Sequence, residues 1–227
     1  MKLKSSCIKL LIFCLTFLFF ILPPLFANPD LSMIFSEWNF PLQSLCLFLL
    51  SLILIYINKN ILITKKDTGH DFFYNFLFPL TLCFCSLFAL SLFVKGLSLI
   101  FKSPDEIQII KAPDRLSGWI FCILHFLFSA FYEESIYRFY LPDFLIDESG
   151  KKIKSENIKK IIYALIELFT CLLFSLAHSY AGFFAILNAF FAHIILRFFR
   201  KKTGNILTGF AAHFLYNILE LILITAS

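Results

Sequence analysis

The chain has 227 residues, of which 59% are hydrophobic and only 15% charged, with 32 phenylalanines and a formal net charge of +5. The charged share falls below the roughly 25% of a soluble domain, and so much apolar surface exceeds what a soluble core of this length hides. A soluble globular fold is excluded, and because short basic loops account for the net charge, it gives no ground for nucleic-acid binding.

Apolar runs of about 20 residues are long enough to cross the hydrocarbon as helices. Seven occur, at roughly Cys7 to Ala27, Phe40 to Ile57, Phe72 to Val94, Ser117 to Leu141, Ile161 to His178, Ala181 to Phe199 and Ile206 to Ala226. The runs are continuous and lack the alternation of a barrel strand. The expected fold class is all-α, a polytopic transmembrane bundle of about seven spans. Residues 1–116 make about three N-terminal spans and residues 117–227 a four-span core. Lys2 and Lys4 ahead of the first run also fit a signal peptide, with Ala27 as the cleavage candidate, but no clean small-x-small site follows. An uncleaved first helix is expected.

Seven cysteines lie in or beside apolar runs and none forms a C-x-x-C pair, so small buried hydrophobes are expected rather than disulfides or a metal site. Basic residues set the orientation. Lys59, Lys65 and Lys66 follow the second run, Arg138, Lys151, Lys152, Lys154, Lys159 and Lys160 lie at the end of the fourth and in the loop after it, and Arg197, Arg200, Lys201 and Lys202 lie at the end of the sixth and in the loop after it. Alternating spans place these loops and the N-terminus inside. Lys95, Lys102, Lys111 and Arg115 then fall outside, which leaves room for a re-entrant segment there. We expect an integral, multi-pass protein of the bacterial cytoplasmic membrane.

Ionisable groups within spans are costly and mark function or internal pairing. They concentrate in the last four runs, as Glu133, Glu134, Arg138, Glu167, His178, His193, His213 and Glu220, with Asn188 and Asn217 beside them. Helical residues four apart share a face, so Glu134 can pair with Arg138, Phe174 can flank His178, and His213 can act with Asn217. Glu133 is rotated by about 100° from Glu134 and points elsewhere. One carboxylate is thus neutralised while its neighbour stays free. Carboxylate or imidazole can take a proton from water, and His and Asn can hold an oxyanion, so these parts suit hydrolysis of an amide. Glu167 and Glu220 are candidates for auxiliary groups or for pairing with Asn188 and His193. His125 reads as a satisfied core residue, His70 carries no signal, and Trp38 and Trp119 suit the interface.

The motifs carry a resemblance. FYEESIYRFYL at Phe131 to Leu141 resembles the E-E-x-x-x-R signature of the CAAX-protease and bacteriocin-processing family. FSLAH at Phe174 to His178 is similar to its F-x-x-x-H, and HFLYN at His213 to Asn217 to its H-x-x-x-N. The resemblance covers about Ser117 to Ala226. It implies an endopeptidase hydrolysing a peptide bond of a membrane-associated or lipidated substrate. It makes Glu133 the principal carboxylate, puts His178 beside it in water activation, and gives the oxyanion to His213 and Asn217. Glu134, Arg138 and Phe174 support the site. His193 departs from the small residue usual at that place.

The partners expected are the lipid bilayer and a peptide or protein cleaved close to it. No cofactor is expected to be required. A zinc-dependent version would use Glu133, His178 and His213, although the zinc helix motif H-E-x-x-H is absent. A non-enzymatic immunity or scaffold protein of the same fold, and a proton-conducting transporter, are the other classes; no inverted repeat supports the last. Depth along the helices conflicts. At about 1.5 Å per residue, Glu133 lies about 12 Å from a helix end at Leu141 and His213 about 10 Å from Ile206, whereas His178 lies about 25 Å from Ile161.

Overall fold

Every regular element described is a helix, as the continuous apolar runs require. The computed structural model describes residues 11, 14, 15, 17–26, 39–57, 72–101, 113 and 115–226. A π segment (Phe17–Ile21) leads into α1 (Leu22–Leu25), followed by α2 (Asn39–Ile57). A second π segment (Phe73–Leu77) leads into α3 (Phe78–Ile100). Then come α4 (Leu116–Glu133), a third π segment (Glu134–Tyr140) and α5 (Leu141–Gly150). The rest is α6 (Glu156–Leu176), a 3₁₀ turn (Ser179–Ala181), α7 (Phe183–Thr203) and α8 (Leu207–Ala226). Residues 102–112, most of the segment where a re-entrant element had room, lie outside the described residues, as do His70, Trp38 and the candidate cleavage residue Ala27.

Among the described residues, three helical stretches are long and apolar enough to cross a membrane: Phe73–Ile100, Leu116–Gly150 and Phe183–Thr203. Ser44–Tyr56 and Leu207–Leu223 are shorter apolar stretches. On α6, Ile161, Leu165, Leu168, Leu172 and Leu176 are all exposed. Their spacing of three and four residues makes one outward apolar stripe, the pattern of a helix facing lipid. The cysteines divide in the same way. Cys83, Cys122 and Cys171 are buried, whereas Cys14, Cys46 and Cys85 lie exposed on apolar surfaces, contrary to the expectation that all would be interior.

The third π segment is the centre of the packing. All seven of its residues are buried. It packs against α2, α6 and α7, and α8 reaches it through Gly209. Phe48 of α2 meets Phe128 and Phe131 of α4 at ring separations of 5.2 and 4.8 Å. Phe131 meets Phe210 of α8 at 5.3 Å, so one aromatic chain ties three helices together.

Two turns bring the last three helices into register. Gly182 has φ 90°, a conformation that L side chains rarely adopt, and it lets the chain reverse between the 3₁₀ turn and α7. Gly204 closes α7 in the left-handed region, its N–H donating to the Arg200 carbonyl. Asn205 Oδ1 then accepts the Thr208 N–H at 3.1 Å and caps α8.

The helix ends correct the depth estimate. The fourth helix does not end at Leu141; helical structure continues to Gly150, giving a stretch of 35 residues from Leu116. The fifth does not begin at Ile161 but at Glu156. The Tyr163 hydroxyl lies against Gly150, where a Cβ would collide with it, so these residues share a level. Counted from there, Glu133 is about 25 Å away and His178 about 22 Å away. The apparent conflict came from measuring each helix from the end of its apolar run.

Candidate active site

The site begins with a break in helical hydrogen bonding. Pro142 has no N–H to offer the carbonyl of residue 138, and a proline ring crowds that carbonyl. The chain ahead of it loosens into the π form, in which the Leu141 N–H donates to Ile136, five residues back. The Arg138 carbonyl is served instead by Arg197 of α7, whose Nη1 donates to it. Arg197 Nη2 also meets Asp143 Oδ1 at 2.7 Å, and its Nε meets Glu167 Oε2 at 3.0 Å. Lys201 adds a second cation on Glu167 at 2.7 Å. Glu167 therefore belongs to a clamp on the proline break, and pairs neither with Asn188 nor with His193.

Above the clamp, Arg138 and Glu134 form the expected pair, with Nε 3.4 Å from Oε1. Both are almost wholly buried. The guanidinium lies over Phe174, its Cζ 3.6 Å from the ring centroid. Tyr137 packs edge-on to the same ring at 5.2 Å. Phe174 is thus the platform of the site as well as a flank for His178.

Glu134 also reaches the last helix. Its Oε1 lies 3.0 Å from His213 Nδ1, and as a carboxylate it accepts the Nδ1–H. A Cβ on Gly209 would come within 2.9 Å of Glu134 Oε2. Gly209 and His213 are four apart on one face of α8, one making room for the carboxylate and the other binding it. Gly209 escaped the reading of the sequence because a glycine in an apolar helix carries no chemical signal. Its offset of four from His213 was the only clue.

On the other edge of the ring, His213 Nε2 lies 3.9 Å from Glu133 Oε2, beyond hydrogen-bond range. That oxygen has no hydrogen-bond partner among the described residues. Glu133 acts electrostatically on His178, Tyr132, Tyr137 and Tyr180. His178 follows the end of α6. Its Nδ1–H donates to the Phe174 carbonyl at 2.9 Å, which leaves Nε2 as the nitrogen with a lone pair. Its ring sits 4.6 Å from that of Phe174. The structure therefore gathers Glu133, Glu134, Arg138, Phe174, His178 and His213 around one point. Asn217 lies one turn beyond His213 on α8, half-buried, with no hydrogen bond to any of them.

His193 is buried with its ring 5.7 Å from Phe174, behind the platform. Asn188 donates to the Tyr216 hydroxyl at 3.2 Å. Glu220 is paired by Lys95 at 2.6 Å and by Ser91, so it lies in a separate contact between α3 and α8 and pairs with neither Asn188 nor His193. Among the described residues, no three His, Cys, Asp or Glu side chains converge to hold a metal ion. The Nδ1 atoms of His178 and His213 are both engaged, which leaves their Nε2 atoms as the free ring nitrogens of the site.

A family model for the type II CAAX prenyl endopeptidases, Rce1-like, matches residues 115–219. That stretch is Rce1-like. The Rce1-like stretch runs from the start of α4 through most of α8 and contains every residue of the cluster above. Its apolar helices make this chain an integral membrane protein, and the matched stretch is similar to an endopeptidase family. No curated protein and no solved structure matches the chain.

Proposed function

We propose that this protein is an intramembrane endopeptidase that hydrolyses a peptide bond of a membrane-associated or lipidated substrate. The observation that carries the reading is the placement of Glu133. Its Oε2 is buried without a hydrogen-bond partner among the described residues, next to two imidazoles whose Nδ1 atoms are already engaged. The neighbouring Glu134 is neutralised by Arg138 and His213, so the two adjacent carboxylates have different work.

In this reading Glu133 and His178 Nε2 share the proton of the attacking water. Glu133 supplies the negative charge and His178 a lone pair whose direction is fixed by the Phe174 carbonyl. Attack turns the substrate carbonyl into an oxyanion. His213, which takes a proton on Nε2 from solvent before attack, serves it through that N–H, with Asn217 as the second donor. Glu134 does not touch substrate. It holds the His213 ring so that Nε2 faces Glu133. The shared proton then passes to the leaving amine. Every step uses side chains of this chain, and none is routed through a metal.

The test is cleavage by wild type and by Glu133→Gln, both purified into nanodiscs with unchanged melting behaviour. Prenylated C-terminal peptides, unmodified peptides and membrane proteins are offered together, and new termini are read by mass spectrometry. New termini made by the wild type alone support the reading. Equal product from both proteins refutes the role of Glu133. No product from either moves the weight to a scaffold of the same fold.

A further inference from the structure

Beyond the peptide-bond chemistry, the other end of α5 holds a cavity of about 630 Å³, lined in part by Asp143, Ile146, Lys151, Tyr163, Arg200 and Lys201. Its level in the membrane follows from the long helix. Glu133 is the midpoint of the 35-residue stretch Leu116–Gly150. The segment from Asp143 to Gly150 lies about 15 to 25 Å from it along the axis. Half the hydrocarbon thickness is about 15 Å, so with Glu133 at the bilayer centre the cavity opens at the headgroups.

The cations around it are not equivalent. Arg197 is taken by Asp143, Glu167 and the Arg138 carbonyl. Lys151 is held by Asp147 at 2.6 Å and Glu148 at 2.8 Å, and Lys201 by Glu167 at 2.7 Å. Arg200 differs. Its side chain is only 7% exposed, yet its nearest carboxylate oxygen, on Asp143, is 3.8 Å away. Its Nε has no hydrogen-bond partner among the described residues, and its other neighbour is the Phe139 ring at 5.2 Å. A buried guanidinium with unfilled donors is costly, and its planar fork matches a tetrahedral phosphate with two oxygens at a time. The exposed Lys151 and Lys201 line the cavity beside Arg200.

We propose that this cavity binds the phosphate of an anionic membrane-lipid headgroup, with Arg200 as its buried ligand and Lys151 and Lys201 at the rim. Phosphate is also available from solution, and the experiment separates the two sources.

The full chain is reconstituted in nanodiscs of mixed phosphatidylcholine and phosphatidylglycerol, then released and examined by native mass spectrometry for retained lipid. Wild type is expected to retain phosphatidylglycerol over phosphatidylcholine by at least about five-fold, the ratio for one basic contact near the surface. Arg200→Gln is expected to lose that preference. Lys201→Gln, at an exposed position that tolerates change, is expected to weaken it and covers the case in which the Arg200 variant fails to fold. Inorganic phosphate at millimolar concentration is expected to leave the retained lipid in place. Equal retention of both lipids by the wild type, or an unchanged preference in a folded Arg200→Gln or in Lys201→Gln, overturns the site. Displacement of the lipid by inorganic phosphate overturns the lipid as occupant.

Discussion

His213 Nδ1 lies 3.0 Å from Glu134 Oε1, joining two residues 79 apart in sequence. The same carboxylate takes the Nε of Arg138 at 3.4 Å. One buried anion thus orients a cation on its own helix and an imidazole on another. Glu134→Gln and His213→Gln should therefore be strongly non-additive. A double-mutant cycle on thermal stability is expected to give a coupling of about 1–3 kcal/mol. Simple additivity of the two would show that the contact does not hold the helices.

Gly209→Ala adds a methyl group where Glu134 Oε2 now lies. The carboxylate cannot swing away freely, since Arg138 and His213 hold its other oxygen. The His213 ring should shift with it. Displacement of an active group by about 1 Å can cost on the order of a hundred-fold in rate. We expect kcat to fall by about ten- to a hundred-fold with KM little changed. An unchanged kcat would remove Gly209 from the support of the site.

Arg197→Met removes the cation that serves Asp143, Glu167 and the Arg138 carbonyl at once. Breaking a largely buried charge pair from one side costs about 3 kcal/mol. The expected result is a lower melting temperature, partly recovered by adding Glu167→Leu. No recovery would mean that the unpaired Glu167 is not what destabilises the single variant.

Pro142→Ala returns an N–H that can donate to the Arg138 carbonyl in an ordinary helical turn. Stability should stay level or rise as the α form becomes accessible. Activity should fall about ten-fold, because the helix segment that carries Glu134 and Arg138 would rewind. A variant with full activity would show that the π form is held by packing rather than by the proline.

Cleavage is expected to be insensitive to a strong chelator, because the proposed proton path uses only side chains. Loss of activity on chelation, restored by added zinc, would replace that path with a metal-activated water.

The helices and the three motif-bearing segments were legible because apolar runs and offsets of four are local properties. The Glu134–Arg138 pair was legible for the same reason. What was hidden was long-range or involved a loss of regular structure. Arg197 reads as one more basic residue beside a loop, and nothing local links it to Asp143 or to a carbonyl 59 residues away. Glu220 was a candidate partner for Asn188 and His193, yet Lys95 of α3 claims it. Depth failed because apolar runs mark where lipid contact ends, and the helices here extend past those limits into charged turns.

The π segment has one more effect, on how the long helix is numbered around its circumference. A turn closed over five residues shelters one residue more than a turn closed over four, so the helix beyond Leu141 is rotated by about 100° relative to an uninterrupted α-helix. The faces of α4 and α5 are out of phase by that amount. In evolutionary terms the segment has the character of a single-residue insertion absorbed without a loop. Removing one residue between Glu134 and Tyr140 would bring the two halves back into phase, straightening the helix while parting the carboxylates from their partners.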